Sequence, residues 1–259
     1  EICPVFAGIQ QTGAAVPLMV DTLLKILPSA ADAVCRFEGG EEKAFDENGE
    51  NALFVFKTIA DPFVGKLSYF RVLSGKIKND SRLINNRTGA EERLSKIMWL
   101  KGGKQEDASE IIAGDIGSVS KLGNVLTGDT LSASGKLAAA AVEFPAPTIS
   151  VAVYPKAKGD EEKITQAFSR LCEEDPTIKV YTDNETHEQI LSALGEQHID
   201  VIISRLKSKF GAEVELKKPK IAYRETIRKP IKIQGRHKKQ SGGHGQFGDV
   251  WIEFEPCDS

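Results

Sequence analysis

The hydrophobic pattern changes period several times along the chain. Val16, Met19, Val20, Leu23, Leu24, Ile26 and Leu27 recur at helical spacing until Pro28 ends the run. The short apolar run Cys3 to Ala7 before it predicts a strand. Residues 33–50, with Gly39-Gly40-Glu41-Glu42, are acidic and glycine-bearing and read as a linker. From 51 to 146 the pattern is one of short apolar bursts divided by Gly and Asp turns. These are Leu53–Ile59, Leu67–Leu73, Lys76-Ile77, Arg93–Leu100, Ile111-Ile112, Ile116–Val119 and Leu126–Leu131. Such spacing predicts a small closed β-barrel.

A different rhythm follows over 147–218. Thr148–Tyr154 alternates as a strand, and Ile164, Ala167, Phe168 and Leu171 mark one face of a helix over about 159–173. Ile178–Tyr181 and Gln189–Leu194 read as strands. A second helix over Glu196–Phe210 carries Ile199, Ile202, Ile203, Leu206 and Phe210 in one stripe, with Gly211 placed to cap it. Ala212–Leu216 closes the order β-α-β-β-α-β, a ferredoxin-like unit. Beyond it, Ile221–Ile227 predicts a strand, and Val250, Ile252 and Phe254 alternate with Trp251, Glu253 and Glu255 in another. The predicted fold is therefore multi-domain: an all-β barrel, then an α+β ferredoxin-like unit, with partial units at 1–32 and 219–259.

Composition narrows the function. At 41% hydrophobic and 27% charged the chain is an ordinary globular sequence. No apolar run approaches the ~20 residues that span a bilayer. Glu1–Phe6 lacks the pattern of a signal peptide, and the missing initiator Met reads as an internal piece of a longer protein. Cys3, Cys35, Cys172 and Cys257 are scattered and read as reduced thiols. His187, His198, His237 and His244 show no metal-ligand spacing, so no metal is expected.

The net charge of −3 hides a segment from Lys217 to Lys239 with ten Lys and Arg against Glu225, a local charge of +9. Concentrated positive charge on an acidic chain fits either a solvated surface or a polyanion partner. Gly243-His244-Gly245-Gln246-Phe247-Gly248 matches a dinucleotide fingerprint in letters only. A basic segment precedes it and a strand follows, whereas pyrophosphate needs a helix N-terminus there. A flexible hairpin-like loop is expected instead, with His244, Gln246 and Phe247 free to hydrogen-bond or stack. No phosphate loop occurs, since Gly65-Lys66, Gly75-Lys76 and Gly135-Lys136 are followed by Leu67, Ile77 and Leu137. Paired acids at Glu91-Glu92, Glu161-Glu162 and Glu173-Glu174 read as helix-end or turn residues, and His198 as a packed or hydrogen-bonded side chain.

Ordered motifs carry a family resemblance. Asp61-Pro62-Phe63-Val64-Gly65-Lys66-Leu67 with Arg71–Gly75, Ala113-Gly114-Asp115-Ile116 and Thr127–Leu131 resemble the second domain of elongation factor G. Ile149–Val153 and Glu174-Asp175-Pro176 resemble its third. Lys218–Ile227 and Lys238–Gly248 resemble the start and first tip loop of its fourth. The resemblance implies a ribosome-dependent translational GTPase that moves tRNA and mRNA, a cytoplasmic monomer using GTP and Mg²⁺. None of that catalytic apparatus is expected in these residues, nor is a membrane contact. It implies ribosomal RNA and decoding-region contact through Lys238, Lys239, Ser241, Gly242, Gly243, His244, Gly245, Gln246 and Phe247. It also marks Gly8, Ile9 and Gln10 as the remnant of a guanine-contacting loop. The family usually has Gly-Ser-Ala at Gly8–Gln10, Gly-Glu-Leu-His-Leu-Glu at Gly195–Asp200, and Arg and Tyr at His244 and Phe247. These departures point to a divergent paralogue. A tetracycline-resistance ribosomal protection protein and an RNA-binding scaffold without GTPase activity remain alternatives.

Overall fold

The computed structural model describes residues 3–61, 65–102 and 104–256, so Pro62–Val64 of the first motif and Cys257 lie outside the described residues. Helix α1 (Val16–Ile26) starts with a proline in its first turn and buries none of its residues. The strand expected at Cys3–Ala7 is not formed. The described residues there find no partner strand, and only an isolated bridge joins Ile9 to Ala14.

The segment expected as a linker is folded. Strands β1 (Val34–Arg36) and β2 (Glu42–Ala44) pair antiparallel. Cys35 and Phe37 are buried with Ala52 and Leu73, and Phe45 and Leu137 pack against them. This small sheet caps one end of the unit that follows. Isolated apolar residues set among Gly and Glu show no period in sequence, so only the long-range contact reveals them.

That unit runs through β3 (Ala52–Asp61), β4 (Gly65–Ser74), β5 (Lys76–Lys78), β6 (Ser81–Asn85) and β7 (Glu91–Leu94). It continues through β8 (Ile97–Lys101), β9 (Lys104–Asp107), β10 (Glu110–Ile112), β11 (Ile116–Ser120) and β12 (Thr130–Ser132). Eight strands form one sheet in the order β7-β6-β12-β3-β4-β11-β8-β9, while β10 pairs with β5. The sheet curls, so that Leu53, Val55, Phe70, Val72, Leu83, Leu94, Ile97, Val119 and Leu131 meet Ile77 and Ile111 in one core. Its end strands β7 and β9 do not pair with each other among the described residues, so the expected all-β barrel unit is present as a half-barrel sheet. The single strand read at Arg93–Leu100 is two, β7 and β8, divided at Ser95-Lys96. Only Thr130-Leu131 of the last burst is strand, and that strand runs on to Ser132. Strands β6 and β9, polar in composition, went unread. Gly75 turns the chain at φ 74°, and a Cβ there would meet Asn51 Oδ1 at 2.2 Å.

The next unit follows the predicted order: β13 (Ile149–Pro155), α2 (Glu161–Glu174), β14 (Lys179–Thr182), β15 (Gln189–Ala193), α3 (Glu196–Phe210) and β16 (Val214–Lys217). The four-stranded sheet has the order β14-β15-β13-β16 with every neighbour antiparallel. Ile164, Ala167, Phe168 and Leu171 of α2 share one core with Ile199, Ile202 and Leu206 of α3 and Val153 and Leu191 of the sheet. Both helices therefore cover one face, the ferredoxin-like arrangement. Gly211 ends α3 in the left-handed conformation at φ 62°, its N–H reaching back to Leu206 and Lys207.

Residues 219–230 form no strand, so the one expected at Ile221–Ile227 is absent; alternation without a neighbouring strand is not enough. The chain then forms β17 (Ile231–Ser241) and β18 (His244–Phe254), an antiparallel ribbon whose residues are all exposed.

Candidate nucleic-acid interface

The expected hairpin-like loop is the end of a regular two-stranded ribbon. Ladder pairs run without interruption from Ile231↔Phe254 to Ser241↔His244. Only Gly242 and Gly243 lie between the strands, and Gly242 sits at φ 73°. Two-residue hairpin loops need positive φ, which glycine adopts without a Cβ penalty. The strands are so exposed because the ribbon has no third layer among the described residues.

This geometry sorts the predicted contact residues. Paired positions share a face and the faces alternate along each strand. Lys238, Phe247 and Gly245 lie on one face. Lys239, Gln246, Ser241 and His244 lie on the other. Lys238 and Lys239, neighbours in sequence, thus point to opposite sides of the ribbon. Gly242 and Gly243 make the turn itself. Within the second face, His237 Nε2 lies 3.4 Å from Gln246 Oε1.

Sequence reading missed the cross-strand partners. Arg236 stands over the Phe247 ring at 5.5 Å and 4.0 Å from Asp249. Gln234 Nε2 donates to both Asp249 carboxylate oxygens at 2.9 and 3.0 Å. Lys232 approaches Glu253 at 4.0 Å. Lys238 and Lys239 make no ion pair among the described residues. The ribbon therefore keeps its basic charge at the turn end, where it is least neutralised. Counting parity outward from Gly242-Gly243 was the signal that could have found Arg236 and Trp251.

The segment that leads into the ribbon is held to the ferredoxin-like unit by carboxylates in the β14–β15 turn. Glu188, almost wholly out of solvent, accepts the Lys220 backbone N–H at 2.7 Å and the Tyr154 hydroxyl. Those two hydrogen bonds, Tyr154 first, hold its carboxyl below the usual glutamate range, and the bond from Tyr154 to Glu188 in turn raises the Tyr154 phenol. Glu185 pairs with Arg224. Neither acid was singled out from sequence, because a buried role for an acid in a turn has no local signature.

The other expected residues lie elsewhere. Gly8, Ile9 and Gln10 are exposed before α1. Gly13 N–H donates to Ile9 O at 3.0 Å, and a Cβ on Gly8 would meet Ala14 O at 2.8 Å. No hydrogen bond or ion pair among the described residues joins them to the ribbon. His198 is hydrogen-bonded: Nδ1 accepts from Leu194 N–H at 3.3 Å, and Nε2 lies 3.2 Å from Asp175. Among the described residues no group of His, Cys, Asp or Glu could hold a metal ion, and no helix is long and apolar enough to cross a membrane.

Family comparisons agree with this architecture. Residues 50–134 match the model of elongation factor G domain 2, residues 144–218 that of domain III, and residues 219–259 that of domain IV. The chain is 41% identical to elongation factor G of Fervidobacterium nodosum over 98% of its own length and 38% of that relative. It is also similar to a crystal structure of a protein from Thermus thermophilus, with TM-score 0.68 and 33% identity, over 93% of this chain and 35% of the other.

Proposed function

We propose, for a chain that belongs to the elongation factor G family, a part in moving tRNA and mRNA on the ribosome during protein synthesis. The whole protein would be a ribosome-dependent GTPase of the cytoplasm, with GTP and Mg²⁺ bound by residues other than these. Within the chain, the ribbon is the element that meets RNA. The observation that carries this reading is the pair of unneutralised lysines, Lys238 and Lys239, on opposite faces beside the Gly242-Gly243 turn. Cations on both sides of a narrow ribbon suit insertion between phosphate-bearing walls. Gly242, Gly243 and Gly245 let backbone approach closely, while Ser241, His244, Gln246 and Phe247 offer hydrogen bonds and a ring. Gly8, Ile9 and Gln10 would belong to the edge of the nucleotide-binding part.

The test is ribosome binding by this chain across a salt series. Each neutralised phosphate contributes about 0.7–0.9 to the slope of log affinity against log salt. Replacing Lys238 and Lys239 together by Ala should therefore flatten that slope by about 2. An unchanged slope and affinity would mean that the basic end is only a solvated surface.

A further inference from the structure

We infer that one face of the β17–β18 ribbon is a stacking platform for unpaired, single-stranded RNA, with Phe247 and Trp251 as the rings and Arg236 and Lys238 as the phosphate partners. The inference rests on the reading of the ribbon as an RNA contact and states which face and which form of RNA that contact uses.

The two faces of the ribbon differ in kind. On one, Ile231, Ile233, Val250, Ile252 and Phe254 form a continuous apolar block at the end away from the turn. That is the pattern of a sheet face that packs on protein. The opposite face carries Lys232, Gln234, Arg236 and Lys238 on β17, paired with Glu253, Trp251, Asp249 and Phe247 on β18. Here the apolar groups are two separate rings, Phe247 at 65% and Trp251 at 62% exposure, set among cations, amides and the two carboxylates Asp249 and Glu253. Arg236 already lies over one ring.

Isolated rings between cations do not make a protein core, because burying that face would strand Lys238, which has no ion pair among the described residues, away from water, whereas Arg236 and Lys232 reach Asp249 and Glu253. A single-stranded nucleic acid satisfies both sets together: bases stack on the rings, and phosphates pair with the cations. Spacing selects the form of RNA. Phe247 and Trp251 are four residues apart on one strand, about 14 Å at ~3.4 Å per residue. Neighbouring bases in a stacked helix are separated by only about 3.4 Å. A duplex cannot place its bases on both rings, whereas a splayed strand can.

The experiment uses the whole chain in a Trp99→Phe background, so that Trp251 is the remaining indole. The probes are a mixed-sequence RNA of about 12 nucleotides, within the range of single-strand site sizes, and the duplex of that RNA with its complement. The single strand is expected to quench Trp251 fluorescence and to bind more tightly than the duplex. Trp251→Leu and Phe247→Leu, each tested separately, are expected to weaken single-strand binding about tenfold, with the salt slope and duplex affinity unchanged. Lys239→Ala, on the other face, should lower the slope without affecting quenching. If the rings can be replaced without loss and Trp251 is not quenched, while Lys238→Ala and Lys239→Ala still weaken binding, the platform is refuted and the ribbon remains an RNA contact. If the unsubstituted chain binds neither RNA in a salt-dependent way, both readings fall.

Discussion

The backbone N–H of Ala60 donates to Glu174 Oε1 at 2.7 Å, joining strand β3 of the half-barrel to the end of helix α2 in the next unit. The same carboxylate holds Lys209 Nζ of α3 at 2.9 Å and is only 7% exposed. Beside it, Lys66 pairs with Glu173 at 3.3 Å. An acidic pair that reads in sequence as a helix end is thus the fastening between two folded units.

Removing that fastening should be felt by both units. Glu174→Ala leaves the Ala60 N–H and the Lys209 ammonium without their shared acceptor, and loss of such buried partners costs about 2–3 kcal/mol. Glu174→Gln keeps an acceptor for Ala60 and should cost less. Urea unfolding followed by Trp99 fluorescence in a Trp251→Phe background measures this. Equal midpoints for both variants and the parent would show that the contact is incidental.

Acid should loosen the half-barrel through Asp129. Its carboxylate, 5% exposed, accepts from Arg87 Nε at 2.7 Å, Asn85 Nδ2 at 2.8 Å and Leu126 N–H at 2.9 Å. Burial works to raise its pKa, but these hydrogen bonds outweigh burial and hold it below the usual carboxylate range. A depressed folded pKa stabilises above the unfolded value of about 3.9, and this contribution is lost as pH falls through the folded value. Asp129→Asn should therefore destabilise by about 2 kcal/mol at neutral pH and show less further loss below about pH 4 than the parent. Guanidinium midpoints from pH 3 to pH 7 test the sign.

A gain of stability is expected at His187. It holds φ 57°, the left-handed region, in a turn fixed by Asp183 Oδ1, which accepts from Glu185 N–H and Thr186 N–H at 2.9 and 2.7 Å. A side chain with a Cβ is strained there by roughly 1 kcal/mol. His187→Gly should raise stability by up to about 0.5 kcal/mol, the strain relieved less the roughly 0.5–1 kcal/mol of entropy lost from glycine. A lower melting temperature would show that the imidazole makes a contact worth more than the strain.

These residues alone should not bind GTP. Gly65-Lys66, Gly75-Lys76 and Gly135-Lys136 are each followed by an apolar residue where a phosphate loop needs Ser or Thr. Titration calorimetry with GTP and Mg²⁺ at high protein concentration should give no heat of binding. Micromolar affinity would contradict the expectation.

Where one periodicity filled a whole element, the sequence was legible. The stripe Ile199, Ile202, Leu206 fixed α3 from Glu196 to Phe210 with its glycine cap, and all six elements of the ferredoxin-like unit could be placed. What escaped depends on partners distant in sequence. Cys35 and Phe37 are buried only because Ala52 and Leu73 arrive beside them. Ile221–Ile227 alternates like a strand yet finds no strand to pair with among the described residues. Of the candidate site, the basic residues and the turn glycines were legible. The division of those residues between two faces was not, because Lys238 and Lys239 look alike until Phe247 and Gln246 are set opposite them.

The two-glycine turn also limits how this chain tolerates change in length. Gly242 and Gly243 join Ser241 directly to His244 with no spare residue. One residue inserted into β18 between Gln246 and Trp251 would invert every side chain beyond it toward the base of the ribbon. Trp251 would turn to the side now held by Ile233, and Val250, Ile252 and Phe254 would face outward among Gln234 and Arg236. Two inserted residues would restore the parity and only displace the pairing. Length variants at this ribbon should therefore divide by odd and even count, the odd ones losing solubility and the even ones retaining it, whichever amino acids are added.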